Sequence, residues 1–387
     1  MTETPYFELL VIVVLLGAIA VVIWYSRRQQ GSGATRNTYL SALERLAEGN
    51  EREAVQLFKA AVRENTDNIP AYLYLGDLLR RRGMLSNAVK IHRDLTLRPG
   101  LSPDATRRIR QSLVRDYHAM GNAEEGAPIA RELLEKERLE EPWIAMALLE
   151  MLEQQRRWDE AAGVLDRYGK LIGEAIDVDS RAALYLVFRG LALQDAGKGR
   201  DARIKYKEAL KRHDRCAAAY YYLGRSYHGE GRLDDAVSAW TRLCEAIPEK
   251  AFLAFPELEK AWFEIGRFAD AETLYQNLLA RKPASLPAGL ALAEIYAKKG
   301  DFEGALEVME QLESEYGDGA HLAGRMTRVL HQNGQYKQAA DRALAYFEGP
   351  GRAATPAVAL SCRKCNTQLT TPEWICPSCG AIDSFGT

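Results

Sequence analysis

The stretch Gly-Arg-Leu-Asp-Asp-Ala at 231–236 returns as Gly-Arg-Phe-Ala-Asp-Ala at 266–271, Gly-Asp-Phe-Glu-Gly-Ala at 300–305 and Gly-Gln-Tyr-Lys-Gln-Ala at 334–339. Its glycines stand 35, 34 and 34 residues apart. Earlier copies begin at Gly49, Gly83 and Gly197. A glycine-less version surrounds Trp158 to Ala161, and a degenerate one follows Gly121. Self-similarity at a fixed period of this length means one supersecondary unit stacked many times, because no single unit can bury its own apolar face.

A period near 34 residues is that of the tetratricopeptide helix–turn–helix repeat. The copy from Ala217 to Pro248 shows how the unit works. Tyr220, Leu223 and Tyr227 fall on one face of a first helix, and Gly224 lets a second helix approach its backbone. Gly231 ends the first helix in a left-handed turn. Ala236, Trp240 and Leu243 give the second helix its stripe, and Pro248 stops it. The expected fold is therefore all-α, a tetratricopeptide superhelical solenoid of about nine units over residues 34–347. Extra residues near Gly100 to Pro103 and between Gly173 and Asp179 predict loops or lengthened helices there. A Gly-Pro-Gly linker, within 348–357, leads out of the array.

Residues 358–387 form a different module. Cys362-x-x-Cys365 and Cys376-x-x-Cys379 are separated by ten residues, the spacing of two thiolate hairpins that grip one tetrahedral ion. Soft, charged thiolates suit zinc or iron, and the spacing does not choose between them. The tail has only Leu369, Trp374, Ile375, Ile382 and Phe385 as sizeable apolar residues, too few to offset its chain entropy. Binding a structural zinc is worth about 10–16 kcal/mol in such peptides, so the metal would supply the folding energy. Gly380 can take positive φ after the second knuckle. Asn366, the residue after glycine most tolerant of that region, stands at the first. The tail therefore reads as a rubredoxin-type knuckle pair or a zinc ribbon. Disulfides are the weaker account: the chain has six cysteines in 387 residues, and the other two, Cys216 and Cys244, lie far away on predicted helices.

At the other end, Leu9 to Tyr25 is an unbroken run of apolar or small residues, preceded by Tyr6 and Phe7. Counted from Tyr6 at about 1.5 Å per residue, it reaches roughly the 30 Å of a hydrocarbon core. Trp24 and Tyr25 stand where an aromatic belt would lie, and Arg27 and Arg28 follow. A cleaved signal peptide would want basic residues ahead of the run and small ones after it; Glu3 and Glu8 precede it and bulky aromatics end it. Residues 1–28 are thus expected to be a single-pass anchor, with the rest of the chain in the cytoplasm.

No phosphate-cradling glycine loop and no His-Glu-x-x-His occurs, and the six histidines are dispersed with no carboxylate or cysteine at a useful spacing. The expected class is a non-enzyme. A net charge of −2 gives no general nucleic-acid footprint, and Arg80-Arg81-Arg82 and Arg107-Arg108-x-Arg110 read as solvated helix faces. Helical solenoids bind other proteins on the concave surface of their first helices. The alignment puts Asp77, Arg80, Tyr221, Arg225 and His228 there as candidate partner contacts.

The order of an anchor, a repeat array and a final Cys-x-x-Cys…Cys-Pro-x-Cys-Gly tail resembles the lipopolysaccharide assembly protein B family of Gram-negative bacteria, along the whole chain. The resemblance implies an inner-membrane adaptor that regulates lipopolysaccharide synthesis, promoting degradation of the lipid A-pathway deacetylase by a membrane-bound AAA metalloprotease and meeting other lipopolysaccharide assembly proteins. It also implies that Cys362, Cys365, Cys376 and Cys379 hold one iron or zinc ion, and that the rubredoxin-like tail packs against the repeats and is needed for activity. Self-association is left open by these patterns. The reading from a different class is an electron-transfer protein, whose iron-bearing tail would serve a membrane redox partner; nine repeats are superfluous for that task.

Overall fold

The computed structural model describes residues 38–281, 286–316, 320–348, 360–369 and 371–386. The expected anchor at 1–28 and most of the 348–357 linker lie outside these residues. No helix among the described residues is long and apolar enough to cross a membrane. The chain forms two compact units, one ending at Glu174 and the other beginning at Ala175.

Among its described residues, the first unit holds four helical hairpins. They are α1 (38–47) with α2 (Glu51–Glu64), α3 (Ile69–Arg81) with α4 (Leu85–Thr96), α5 (Pro103–Met120) with α6 (Ala123–Glu135), and α7 (Pro142–Gln154) with α8 (Trp158–Ile172). Asn50, Asn68, Ser102 and Asn122 cap their helices by accepting a backbone N–H three residues on, which satisfies a donor the helix leaves free. On α2 the buried set is Ala54, Val55, Phe58, Ala61 and Val62, a single stripe at helical spacing.

The second unit holds five more hairpins: α9 (Val178–Asp195) with α10 (Gly199–Arg212), α11 (Ala217–Gly229) with α12 (Leu233–Ala246), α13 (Phe255–Glu264) with α14 (Phe268–Ala280), α15 (Leu286–Lys299) with α16 (Phe302–Tyr316), and α17 (Ala320–Gln332) with α18 (Tyr336–Glu348). A short 3-10 helix, Pro248–Leu253, joins α12 to α13. Strands β1 (Leu360–Cys362), β2 (Gln368–Leu369) and β3 (Phe385–Gly386) then form an antiparallel sheet in the order β2-β1-β3. The surplus residues noted in the sequence became lengthened helices: α5 and α9 each have 18 residues.

Every hairpin turns the same way. In the best copy, Gly231 sits at φ 73°, its N–H donates to the His228 carbonyl and the Arg232 N–H donates to the Tyr227 carbonyl. That is a Schellman closure, which pairs two carbonyls the helix end would otherwise leave free. Where the glycine is missing, Arg156 takes φ 56° and closes the same two bonds, from its own N–H to Glu153 and from Arg157 to Leu152.

Within a hairpin, a second glycine sets how closely the helices approach. A Cβ at Gly224 would lie 2.3 Å from Trp240 Nε1, at Gly190 2.4 Å from Tyr206 Cε1, and at Gly76 2.3 Å from His92 Nε2. In each pair a large side chain of the second helix rests on bare backbone of the first. At Trp240, fully buried, the indole N–H also donates to the Tyr221 carbonyl at 3.0 Å.

The third of these pairs corrects the sequence reading of the histidines. His92 fills the core position taken by Tyr206 and Trp240 in other copies. It is wholly buried, with Nδ1 2.6 Å from Asp116 Oδ2 and Nε2 3.4 Å from the Leu73 carbonyl. Arg80 Nη1 reaches the other Asp116 oxygen at 3.0 Å and Asp77 at 2.8 Å. His118 and Glu150 approach to 2.6 Å. These partners are 24 and 32 residues apart in sequence, so only stacking reveals them.

Candidate metal centre

Two copies of one hairpin, 14 residues apart, build the centre. In the first, the Cys362 N–H donates to the Thr367 carbonyl and the Asn366 N–H to the Cys362 carbonyl. In the second, the Cys376 N–H donates to Ala381 and the Gly380 N–H to Cys376. Asn366 at φ 57° and Gly380 at φ 68° make the equivalent left-handed turns, so the asparagine does keep the first knuckle closed. The Arg363 N–H donates to the Ser384 carbonyl at 2.6 Å and β1 pairs with β3, tying the first hairpin to the strand after the second, while Ile375 bridges Ile382 across the base of the second hairpin.

The four sulfurs converge, all within 4.8 Å of one another. Cys362 Sγ is 3.7 Å from Cys379 Sγ, and Cys365 Sγ is 3.6 Å from Cys376 Sγ. A disulfide needs about 2.05 Å, and all four are free thiols. A tetrahedron with metal–sulfur bonds of about 2.3 Å has edges of about 3.8 Å, so the donor set fits one zinc- or iron-sized ion. Cys362 and Cys376 are buried, Cys379 is half-buried and Cys365 is exposed.

The surroundings favour thiolates unevenly. Ser384 Oγ lies 3.1 Å from Cys362 Sγ, and its hydroxyl is the chief cause that pulls that thiol down to about 6. Thr367 Oγ1 at 3.0 Å pulls Cys365 down in the same way. Cys379 accepts from a backbone N–H near Ala381, yet burial and the three neighbouring sulfurs push it up to about 12. Four negative charges do not coexist at this spacing without a cation among them. A bound divalent ion would supply that charge, fix both hairpins and leave the centre with two net negative charges.

The centre is seated on the repeats of its own unit. Trp374, 5% exposed, packs its ring 5.5 Å from Tyr221 and 5.4 Å from Tyr222, both on α11. Lys250, on the 3-10 helix, reaches Asp383 at 3.4 Å, an exposed pair of little energetic weight. Burial of an indole against two rings is the substantial contribution, on the order of 3–5 kcal/mol by the usual cost of removing a buried tryptophan.

This seating changes the account of the candidate partner contacts. Tyr221 is 3% exposed beneath Trp374, and its hydroxyl donates to Glu257 at 3.3 Å. Arg225 stays exposed beside the Tyr221 ring, and His228 is half-buried 3.2 Å from Glu264. Asp77 and Arg80, on α3 of the other unit, are held by Asp116 and Ser112. Members of both basic clusters are likewise occupied: Arg81 pairs with Glu51, and Arg107 and Arg110 with Glu137. Sequence reasoning missed Tyr222 and Trp374 as a joint. Three consecutive tyrosines, 220–222, one more than a single stripe accommodates, were the available signal.

Comparison with known proteins agrees with this architecture. The tetratricopeptide repeat family matches residues 189–251 and 263–324. Lipopolysaccharide assembly protein B of Escherichia coli strain K12 is 23% identical over 384 residues, covering 95% of each chain. The protein of that name from Haemophilus influenzae is 20% identical, covering 96% of each. Cellulose synthase operon protein C of Xanthomonas axonopodis is 26% identical over 58% of this chain but only 15% of its own. Among solved structures, Naa15/Naa10 bound to HypK-THB superposes at a TM-score of 0.40 with 15% identity, covering 82% of this chain and 64% of that one. The repeats alone are shared widely; the similarity that runs the length of the chain, repeats and cysteine tail together, is to proteins named lipopolysaccharide assembly protein B.

Proposed function

We propose that this chain is a non-catalytic adaptor that regulates lipopolysaccharide assembly from the cytoplasmic face of the inner membrane. The observation that carries the reading is the similarity over 95% of the chain to proteins named for that process, spanning both repeats and metal tail. The physical logic is tethering. The apolar run at 9–25 would confine the chain to the bilayer, where a membrane-bound AAA metalloprotease and its substrate, the lipid A-pathway deacetylase, meet it at raised effective concentration. The repeats would present the docking surfaces. Cys362, Cys365, Cys376 and Cys379 would hold one iron or zinc ion, whose contribution is to lock the two hairpins. Trp374 then fixes that rigid knob on Tyr221 and Tyr222 and stiffens the middle of the second unit.

The test is a replacement in a Gram-negative host whose own copy is removed, reading the deacetylase half-life after protein synthesis is blocked. The full chain should shorten it. Deleting residues 1–28, or changing Cys362 and Cys376 to serine, should lengthen it again. An unchanged half-life in all three strains would overturn the adaptor reading.

A further inference from the structure

Two neighbouring concavities on the second unit remain unassigned. The first, about 490 Å³, is walled by Trp262, Phe263 and Phe268 with Ile295, Lys298 and Lys299. The second, about 190 Å³, contains Lys298, Arg325 and Arg328 with Glu294. Lys298 lines both, so the two are contiguous across the last turns of α15. One is aromatic and the other cationic.

The aromatic wall is costly for a protein to leave in water. Phe263 is 69% exposed and Phe268 51%, and the two rings meet edge to face at 5.3 Å on either side of the Gly266 turn. An adjacent exposed pair of this kind marks a contact surface more often than isolated apolar residues do. Trp262 is 3% exposed, and its indole N–H finds no acceptor among the described residues, which folded proteins seldom leave so.

The charges next to it are unequal. Glu259 is engaged by the Tyr275 hydroxyl at 2.7 Å, and Glu294 is shared between Lys298 at 3.3 Å and Arg325 at 3.0 Å. Lys299 pairs with Glu272. Arg328 is exposed and has no carboxylate partner among the described residues. The surface thus combines an apolar slot with a cation awaiting an anion.

We infer that this surface captures a peptide segment of a protein partner that presents one bulky apolar side chain with a carboxylate about one helical turn away. The apolar side chain packs into the concavity against the touching Phe263 and Phe268 rings, and the carboxylate meets Arg328 and Lys298. Peptide is the occupant the chemistry favours. An exposed aromatic wall beside a cation without a carboxylate partner among the described residues matches an apolar side chain and a carboxylate carried on one chain, and guanidinium–carboxylate pairing is directional. This deepens the adaptor reading and rests on it for the partner's biological role only. Peptide capture is read directly in vitro, so it can fail while the pathway assignment stands.

The test titrates the detergent-purified full chain against a fluorescein-labelled 12-residue peptide pool fixed as Phe-x-x-Glu, and against matched Phe-x-x-Gln and Ala-x-x-Glu pools, by fluorescence polarisation. Phe-x-x-Glu should bind at least tenfold more tightly than either control. Arg328→Glu should erase the preference for Glu over Gln, and Phe263→Ala with Phe268→Ala should erase the preference for Phe over Ala. These side chains are exposed, so the variants keep the fold; circular dichroism checks this. Selective ¹⁵N-indole labelling supplies a second reading: the Trp262 resonance, assigned from Trp262→Phe, should shift on adding Phe-x-x-Glu. Equal binding of all pools, or binding unaltered in the variants, overturns the inference. So does tight binding of phosphatidylglycerol vesicles that the Phe263→Ala, Phe268→Ala variant loses, because the occupant would then be lipid.

Discussion

Replacing Gly224 by alanine should do more damage than any other single added methyl in α11. The new Cβ would lie 2.3 Å from Trp240 Nε1, 2.4 Å from Cε2 and 2.7 Å from Cδ1. Trp240 is fully buried, so it has nowhere to swing without moving a helix. Overpacking of this kind costs about 1–3 kcal/mol. Displacing the indole also breaks its bond to the Tyr221 carbonyl, and a buried donor left unpaired costs a further 1–3 kcal/mol or so. Alanine returns about 1 kcal/mol of helix propensity. The net expectation is a loss of about 1–5 kcal/mol. Gly229 is the internal control: it closes the same helix, and a Cβ there meets nothing within 4 Å. Gly229→Ala should be neutral or stabilising by up to about 1 kcal/mol. Urea unfolding followed by far-ultraviolet circular dichroism, with hydrogen exchange resolved over α11 and α12, measures both. Exchange matters because repeat arrays unfold in parts. Protection in α11 should fall with Gly224→Ala, and the Trp374 contact should loosen, since Tyr221 carries it. Equal stability of the two variants would mean that the close approach does not govern the hairpin.

The turn at Arg156 offers the opposite sign. A non-glycine residue at positive φ is strained by about 1–2 kcal/mol. Arg156→Gly should therefore raise the stability of the α7–α8 hairpin by about 0.5–1 kcal/mol after the added chain entropy of glycine, and a lowered urea midpoint would contradict this. Trp374→Ala should leave metal content unchanged by elemental analysis, yet weaken seating of the tail by about 3–5 kcal/mol, read as faster exchange in 360–369 and 371–386. Removing the ion with a chelator should unfold the knuckles while the helical signal of the repeats persists; knuckle amides still protected without metal would show that the ion is not structural. The buried Cys216 and Cys244 thiols are pushed up to about 11 and about 12 by burial. Relative to exposed thiols they should react with iodoacetamide at pH 8 about a hundredfold and a thousandfold more slowly. Both are neutral in folded and unfolded chains below about pH 8. They ionise first in the unfolded chain, so their contribution to stability is lost as pH rises from about 9 through 11 and 12. Rapid labelling at pH 8 would disprove their burial.

Much of this was legible in the residues. Gly231, Ala236, Trp240 and Leu243 carry their own geometry, because the turn, the stripe and the stop are all local. Cys362, Cys365, Cys376 and Cys379 announce their convergence by spacing, and Asn366 and Gly380 mark the knuckle turns. The histidines were not legible. Asp116 lies on the stripe of Ile109, Leu113 and Tyr117 in α5, and a carboxylate there is a hint, but its partner His92 comes from the preceding hairpin. Nor was the fate of Tyr221, which the repeat pattern placed on an open face and the tail covers.

The periodic pattern determined hairpins, turns and the thiolate knuckles, since each depends on residues within one or two helical turns or within a short loop. Only the folded arrangement decided which faces stay open. That outcome depends on contacts between residues as distant as Tyr221 and Trp374, and on which carboxylate reaches which cation once neighbouring hairpins stack. Such pairings are set by where hairpins and tail meet, and no local spacing encodes them.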